Sequence, residues 1–130
     1  MLKLLKITLI VAGLALTTIP ASAAGGCATV TAEPAMPMVM RGYTQAITGL
    51  ATNCSTAKSR YTLDVSVKSA CGVEWCHRST RIPLDAGYST LYSMSCSVPQ
   101  NTCVGPSVST TLVKSGSATL AVATTTFDVQ

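Results

Sequence analysis

The chain has 130 residues, a formal net charge of +4, 11% charged residues and six cysteines. A positive charge this weak, with no run of basic residues, lacks the electrostatic footprint of a nucleic-acid-binding protein, and we expect no nucleic-acid partner. The length suits one domain, and an even number of cysteines in so short a chain is typical of an oxidising compartment.

The N-terminus has the pattern of a cleavable secretory signal peptide. Two lysines precede an apolar run, residues 7–16, which is too short to span a bilayer, and Ala21-Ser22-Ala23 supplies the small residues of a cleavage site. We therefore predict a signal peptide at residues 1–23 and a secreted or periplasmic domain at residues 24–130, with no membrane insertion after cleavage.

Two alternatives remain open for this N-terminal segment. The segment could stay attached as a membrane anchor, or Cys27 could be lipidated. Lipidation would leave an odd number of cysteines in an oxidising compartment, and no large apolar residue stands three positions before Cys27. Cleavage after Ala23 is the interpretation that we adopt.

Beyond the signal, hydrophobic residues alternate with a period of two, which is typical of strands. The predicted strands span, in chain order, residues 27–32, 43–52, 60–69, 78–83, 88–98, 107–114 and 118–129. The alternation predicts that four apolar side chains are core residues: Leu63, Val65, Leu112 and Leu120. About seven short strands with turn signals between them indicate an all-β sandwich.

Several segments resemble the strands and turns of bacterial secreted immunoglobulin-like or fibronectin type III-like modules. They are residues 61–67, 82–87, 108–116 and 119–129, and the resemblance covers most of the predicted domain. It implies a single immunoglobulin-like antiparallel β-sandwich. Such modules usually serve as adhesive, carbohydrate-associated or spacing elements, so the resemblance favours a binding function without fixing it.

All six cysteines lie in the predicted mature domain, and we expect three disulfides. Fifteen pairings are possible in principle. The short spacings favour sequential pairing, because two neighbouring cysteines can close the loop of a hairpin. The expected bridges are Cys27–Cys54, Cys71–Cys76 and Cys96–Cys103.

The segment after Cys71 contains the best candidate binding residues: Glu74, Trp75, His77 and Arg78. Tryptophan and arginine are favoured anchors at binding surfaces, and a loop closed by a disulfide loses little entropy on binding. We predict an interaction surface for an unidentified envelope or extracellular protein or glycan. The alternative is that Trp75 folds back and caps the sandwich.

The sequence shows no convincing catalytic constellation, and we predict no enzyme activity and no cofactor. His77 is the single histidine, no nucleophile elbow is present, and oxidised cysteines cannot act as nucleophiles or zinc ligands. The sequon Asn53-Cys54-Ser55 is interpreted as a chance match.

The favoured function is therefore a secreted, non-catalytic binding or surface-interaction module, and two other functions are kept as alternatives. Met36, Met38 and Met40 share one face of an extended segment, and thioethers suit Cu(I), which would make the protein a periplasmic copper-binding protein. Packing of these methionines in the core is the favoured interpretation. The loop at residues 97–102 could instead present a peptide to a secreted hydrolase as an inhibitor.

Overall fold

The computed structural model describes residues 16–17 and 26–130. The predicted cleavage site, and all of the predicted signal peptide except residues 16–17, lie outside the described residues. The strands are β1 (Leu16–Thr17), β2 (Ala28–Val30), β3 (Glu33–Pro34), β4 (Met38–Val39), β5 (Thr44–Asn53), β6 (Ser59–Lys68), β7 (Glu74–Leu84), β8 (Ser89–Ser97), β9 (Gly105–Ser115) and β10 (Ala118–Val129). Within this part of the chain, no helix has the length and apolar character to cross a membrane.

The strands form two sheets packed face to face. The large sheet has the order β1-β10-β9-β6-β7, and β4 adds to β10 as a parallel strand. In the small sheet β5 pairs with β2 and β3 on one side and with β8 on the other. The six long strands β5 to β10, with one N-terminal strand broken into short pieces, match the prediction of about seven strands. The immunoglobulin-like β-sandwich is confirmed.

The core follows the predicted alternation along β6 but not along β9. Leu63, Val65 and Leu120 are buried, as expected. Leu112 is only half-buried, because it pairs with the outward residue Asp64, and the prediction for this residue was wrong. The inward side of β9 is formed by Ser107, Ser109, Thr111 and Val113. Since β9 has β-branched residues on both faces, its own sequence does not define its register.

The structure contains three disulfides, but only one expected pairing is correct. Cys27–Cys54 joins the start of β2 to the end of β5. The predicted bridges Cys71–Cys76 and Cys96–Cys103 are wrong, and the bridges formed are Cys71–Cys103 and Cys76–Cys96, each with a Cα–Cα distance of 6.0 Å.

The side-chain directions explain this exchange of partners. Cys76 lies in β7 opposite the buried Val67, so its side chain points between the sheets toward the buried Cys96 of β8. Its bridge therefore joins the large sheet to the small one. Cys71 lies in the loop after β6 and is left to pair with Cys103, in the loop after β8.

A close backbone contact fixes the break between β2 and β3. The Thr31 carbonyl lies so close to Gly49 of β5 that a Cβ atom there would overlap it. The Tyr92 hydroxyl, from the other neighbour of β5, donates a hydrogen bond of 2.6 Å to this carbonyl. Burial raises the pKa of Tyr92, and its hydrogen bond to Thr111 partly opposes that rise. Glycine at position 49 thus allows the Thr31 carbonyl to approach β5 between the segments paired with β2 and β3.

Candidate functional site

Three loops meet at one end of the sandwich, which we call the clamped end: residues 40–43, 69–73 and 98–104. The second and third loops are joined covalently by Cys71–Cys103. The first and third are joined by two backbone hydrogen bonds of 2.8 Å, from Gly42 N–H to the Val98 carbonyl and from Val98 N–H to the Tyr43 carbonyl. The bridge Cys76–Cys96 ties the strands directly below. The loops are therefore fixed relative to one another.

Each loop of the clamped end presents a large apolar side chain to solvent. Tyr43 is 62% exposed, Val73 is 62% exposed and Val104 is 54% exposed. Full burial of an apolar side chain is worth about 1.5–3 kcal/mol, so covering the exposed part of each of these groups on a partner would gain roughly 1–2 kcal/mol. Apolar groups held on rigid loops have the composition of a contact surface.

Trp75 lies beneath these loops rather than among the exposed residues. Its half-buried indole packs edge to face against Phe127, with ring centroids 6.2 Å apart. The indole N–H is buried and has no hydrogen-bond partner within the described residues. This packing corresponds to the alternative in which Trp75 caps the sandwich.

A cavity of about 150 Å³ separates the indole from the loop above it. It is lined by Ser69, Val73, Trp75, Pro99, Asn101, Thr102 and Cys103. The cavity therefore lies between the indole and the two loops that Cys71–Cys103 joins.

Glu74 and His77 belong to a different surface, the outer face of the large sheet. Both ring nitrogens of His77 face carboxylates: Nε2 is hydrogen-bonded to Asp64, and Nδ1 lies 4.0 Å from Oε2 of Glu74. The second carboxylate oxygen of Asp64 lies 3.3 Å from Nζ of Lys114. Asp64 and Lys114 were not among the predicted site residues, because their approach to His77 depends on the registers of three adjacent strands.

Arg78 lies on the opposite side of β7 from His77. It pairs with the fully buried Val65, yet its own side chain is exposed, so the edge of the large sheet extends past the small sheet here. The four predicted site residues are thus neighbours in sequence that divide between two faces. Whether they bind a partner stays a prediction.

A second exposed apolar feature lies on the outer face of the small sheet. Leu91 of β8 is 80% exposed and pairs with the exposed Leu50 of β5. A shallow depression of about 490 Å³ beside them is lined by Thr31, Glu33, Thr48, Gly49, Leu50, Leu91, Tyr92 and Ser93. This feature was not predicted, although both leucines stand at outward positions of alternating strands.

Two other sequence interpretations concern modification and metals. Asn53 of the sequon is completely buried, and both atoms of its side-chain amide are hydrogen-bonded, so the folded protein does not present it for glycosylation. All six cysteines are oxidised in disulfides. Among the described residues, no three His, Cys, Asp or Glu side chains gather in a way that could hold a metal ion.

Comparison with known proteins establishes the fold alone. No protein-family model matches the chain, and no curated protein is similar to it in sequence. Among solved structures, the CARDB domain of the PF1109 protein in complex with di-metal ions, from Pyrococcus furiosus, is 11% identical with a TM-score of 0.60, covering 82% of this chain and 97% of that one. The C-terminal domain of Wzt is 11% identical with a TM-score of 0.62, covering 81% of this chain and 74% of that one.

A larger enzyme contains a similar region. The alkylpurine DNA glycosylase AlkC of Pseudomonas fluorescens is 12% identical with a TM-score of 0.64, covering 82% of this chain. The chain corresponds to 31% of that protein's length. The shared part is therefore one β-sandwich within a longer chain.

Proposed function

We propose that this protein is a secreted, non-catalytic binding module that contacts a protein partner through its clamped end. The observation on which the proposal rests is the exposure of Tyr43, Val73 and Val104 on three cross-linked loops. Loops fixed in advance lose little conformational entropy when they bind, so more of the contact energy contributes to affinity.

The composition of the surface favours a protein over a glycan. Val73 and Val104 are aliphatic, and the same loops carry the exposed polar residues Arg41, Gln100 and Asn101. Apolar centres with polar rims are typical of protein–protein interfaces. The indole of Trp75, which would be the natural platform for a sugar ring, packs on Phe127 instead.

The environment of His77 supports a non-catalytic function. In a Ser-His-Asp triad one ring nitrogen faces the nucleophile and the other faces the carboxylate. Here the two nitrogens face Asp64 and Glu74, on the open outer face of a sheet. The three disulfides support export, since such bridges persist in oxidising compartments.

Site-specific photo-crosslinking in an envelope extract tests the proposal. A photoreactive phenylalanine analogue at Val73 is expected to capture a discrete protein, and the same analogue at Leu91 is the control. Both positions are exposed and apolar, but Leu91 lies on the outer face of the small sheet. Unlabelled protein should compete for the capture, and unlabelled protein with Tyr43→Ser and Val104→Ser should compete poorly.

The outcomes separate the alternatives. Equal capture from Val73 and Leu91, or equal competition by the double variant, would overturn the assignment of the clamped end. Binding that survives protease treatment of the extract would identify a glycan and refute the protein partner. Capture of a secreted hydrolase, together with inhibition of that hydrolase by the module, would show that the protein is a hydrolase inhibitor.

A further inference from the structure

Three methionines stand exposed on the broken N-terminal strand, where the sequence had favoured packing in the core. Met36 is 39% exposed, Met38 is 52% exposed and Met40 is 58% exposed. Met94, in contrast, is half-buried and packs against the core. All three side chains lie outside the buried core, so the packing of the core does not by itself account for three methionines at these positions.

The side chains of Met38 and Met40 lie on the same side of β4, and Met36 stands two positions before β4, in the exposed connection from β3. Val39 stands between Met38 and Met40, is buried, and pairs with the buried Val129 of β10. Met38 pairs with the exposed Asp128, which places the two side chains on the same outer face. The alternation around Val39 therefore directs Met38 and Met40 to solvent.

The backbone of this segment is held in place on both sides. The amide oxygen of the buried Gln45 accepts a hydrogen bond of 3.1 Å from Met36 N–H, and its amide nitrogen donates one of 2.7 Å to the Met36 carbonyl. The carbonyls of Pro37 and Val39 each accept a backbone hydrogen bond of 2.9 Å, from Asp128 and Gln130 respectively. The methionine side chains are flexible, but their attachment points are fixed.

We propose that Met36, Met38 and Met40 form a thioether site for a soft monovalent cation, Cu(I). Residues two positions apart in any chain are separated by at most about 7 Å, which is within reach of flexible thioether side chains, and Met38 stands between the other two methionines. Thioether sulfur prefers Cu(I) among biological metal ions. The Asp128 carboxylate beside Met38 favours a cation, whereas Arg41, next to Met40, opposes it.

Two further facts define the chemistry of the site. All six cysteines are in disulfides, so no thiolate competes for the ion. His77 lies on β7, four strands from β4 in the order β4-β10-β9-β6-β7, which is roughly 19 Å at the usual strand spacing. The histidine is therefore too distant to join the methionines, and the donor set is that of Cu(I) and not of histidine-bound Cu(II).

Titration with Ag(I), a redox-inert substitute for Cu(I), tests the site by NMR of protein labelled at the methionine methyl carbons. The methyl signals of Met36, Met38 and Met40 should shift together to a common end point, and the Met94 signal should not move. Anaerobic Cu(I), competed against a chelator, should give the same pattern.

Leucine variants supply the matched controls, because leucine preserves size and apolar character. Replacing all three methionines should abolish the competition with the chelator, while Met94→Leu should leave it unchanged. Met38→Leu alone should weaken Cu(I) binding by at least about tenfold. Replacing even a residue that only contacts a metal ligand commonly lowers metal affinity by about that factor, and Met38 is proposed as a ligand itself. Asp128→Asn should weaken binding less than Met38→Leu.

Three results would overturn the proposal: no shift of the exposed methyl groups, equal movement of the Met94 signal, or unchanged binding by the triple variant. A triple variant with an unaltered melting temperature rules out misfolding as the reason for lost binding. These measurements use only the metal, so they are independent of any partner at the clamped end.

Discussion

The two ends of the sandwich are held together by different means. At the end opposite the clamped end, the side chain of Asn53 is completely buried and has a partner at every polar position. Its amide nitrogen donates to the carbonyls of Ala57 and Leu84, both at 2.9 Å, and its oxygen accepts from Ser55 and from the Tyr61 hydroxyl. We call this the Asn53 end.

The Asn53 end also has a disulfide, Cys27–Cys54, but there it joins strands that are already paired. At the clamped end Cys71–Cys103 joins two loops that border a cavity. The buried indole N–H of Trp75, beneath these loops, has no hydrogen-bond partner within the described residues. A hydrogen-bond network fixes its own side chains and leaves few of them free. A covalent link between loops fixes the backbone and leaves side chains such as Val73 available to a partner.

The largest expected effect comes from removing the covalent link at the clamped end. Replacing Cys71 and Cys103 together by serine should lower the free energy of unfolding by about 3–4 kcal/mol, through the greater entropy of the unfolded chain. Denaturant unfolding measures this loss. Amide hydrogen exchange should accelerate at residues 69–73 and 98–104 while the amides around Asn53 keep their protection.

Uniform acceleration across both ends would show that the two regions are not independent. Removing Cys27 and Cys54 is the matched control, because its loop is of similar length. That variant should lose a similar amount of stability while the clamped end keeps its slow exchange.

Breaking the hydrogen-bond network should have a slightly smaller effect. Asn53→Ala removes a large buried side chain and the donor to the Leu84 carbonyl, while the Tyr61 hydroxyl keeps the Cys27 carbonyl as an acceptor. We expect a loss of about 3 kcal/mol. Thermal and denaturant unfolding check this value. Asn101→Ala, at an exposed position of the clamped end, is the control and should change stability by less than about 0.5 kcal/mol. Equal losses in the two variants would contradict the contrast between the ends.

Truncating the tryptophan should have the smallest effect of the three on stability. Trp75→Ala removes the contact with Phe127 from a half-buried site, and we expect a loss of about 2 kcal/mol, below the range for fully buried aromatic residues. Partner binding should weaken only to the extent that the loop at residues 98–104, which lies above the indole, becomes more mobile. Unchanged stability together with abolished binding would instead make the indole itself the contact residue.

The sequence predicted the sandwich but not the pairing between its layers. Along β6, each apolar residue alternates with a polar one, so Leu63 and Val65 could be assigned to the core from local pattern alone. Leu112 could not, because its strand has apolar residues on both faces and its orientation depends on β6 and β10. The candidate site was predicted in part. The positions of Glu74 and Trp75 in the sequence show that they lie close to Cys71 and Cys76, but their separation onto different faces depends on the irregular pairing of β6 with β7.

The order of the cysteines in the chain has a consequence for how the protein is made. In the export that we propose, the chain crosses a membrane from its N-terminus and exposes Cys27 and Cys54 first, and these two are native partners. Cys71 and Cys76 follow, and each must then await a partner that emerges later, Cys103 and Cys96 respectively. Rapid oxidation would join Cys71 to Cys76 prematurely, so the yield of correctly bridged protein should depend on thiol–disulfide exchange more than on the strength of the oxidant.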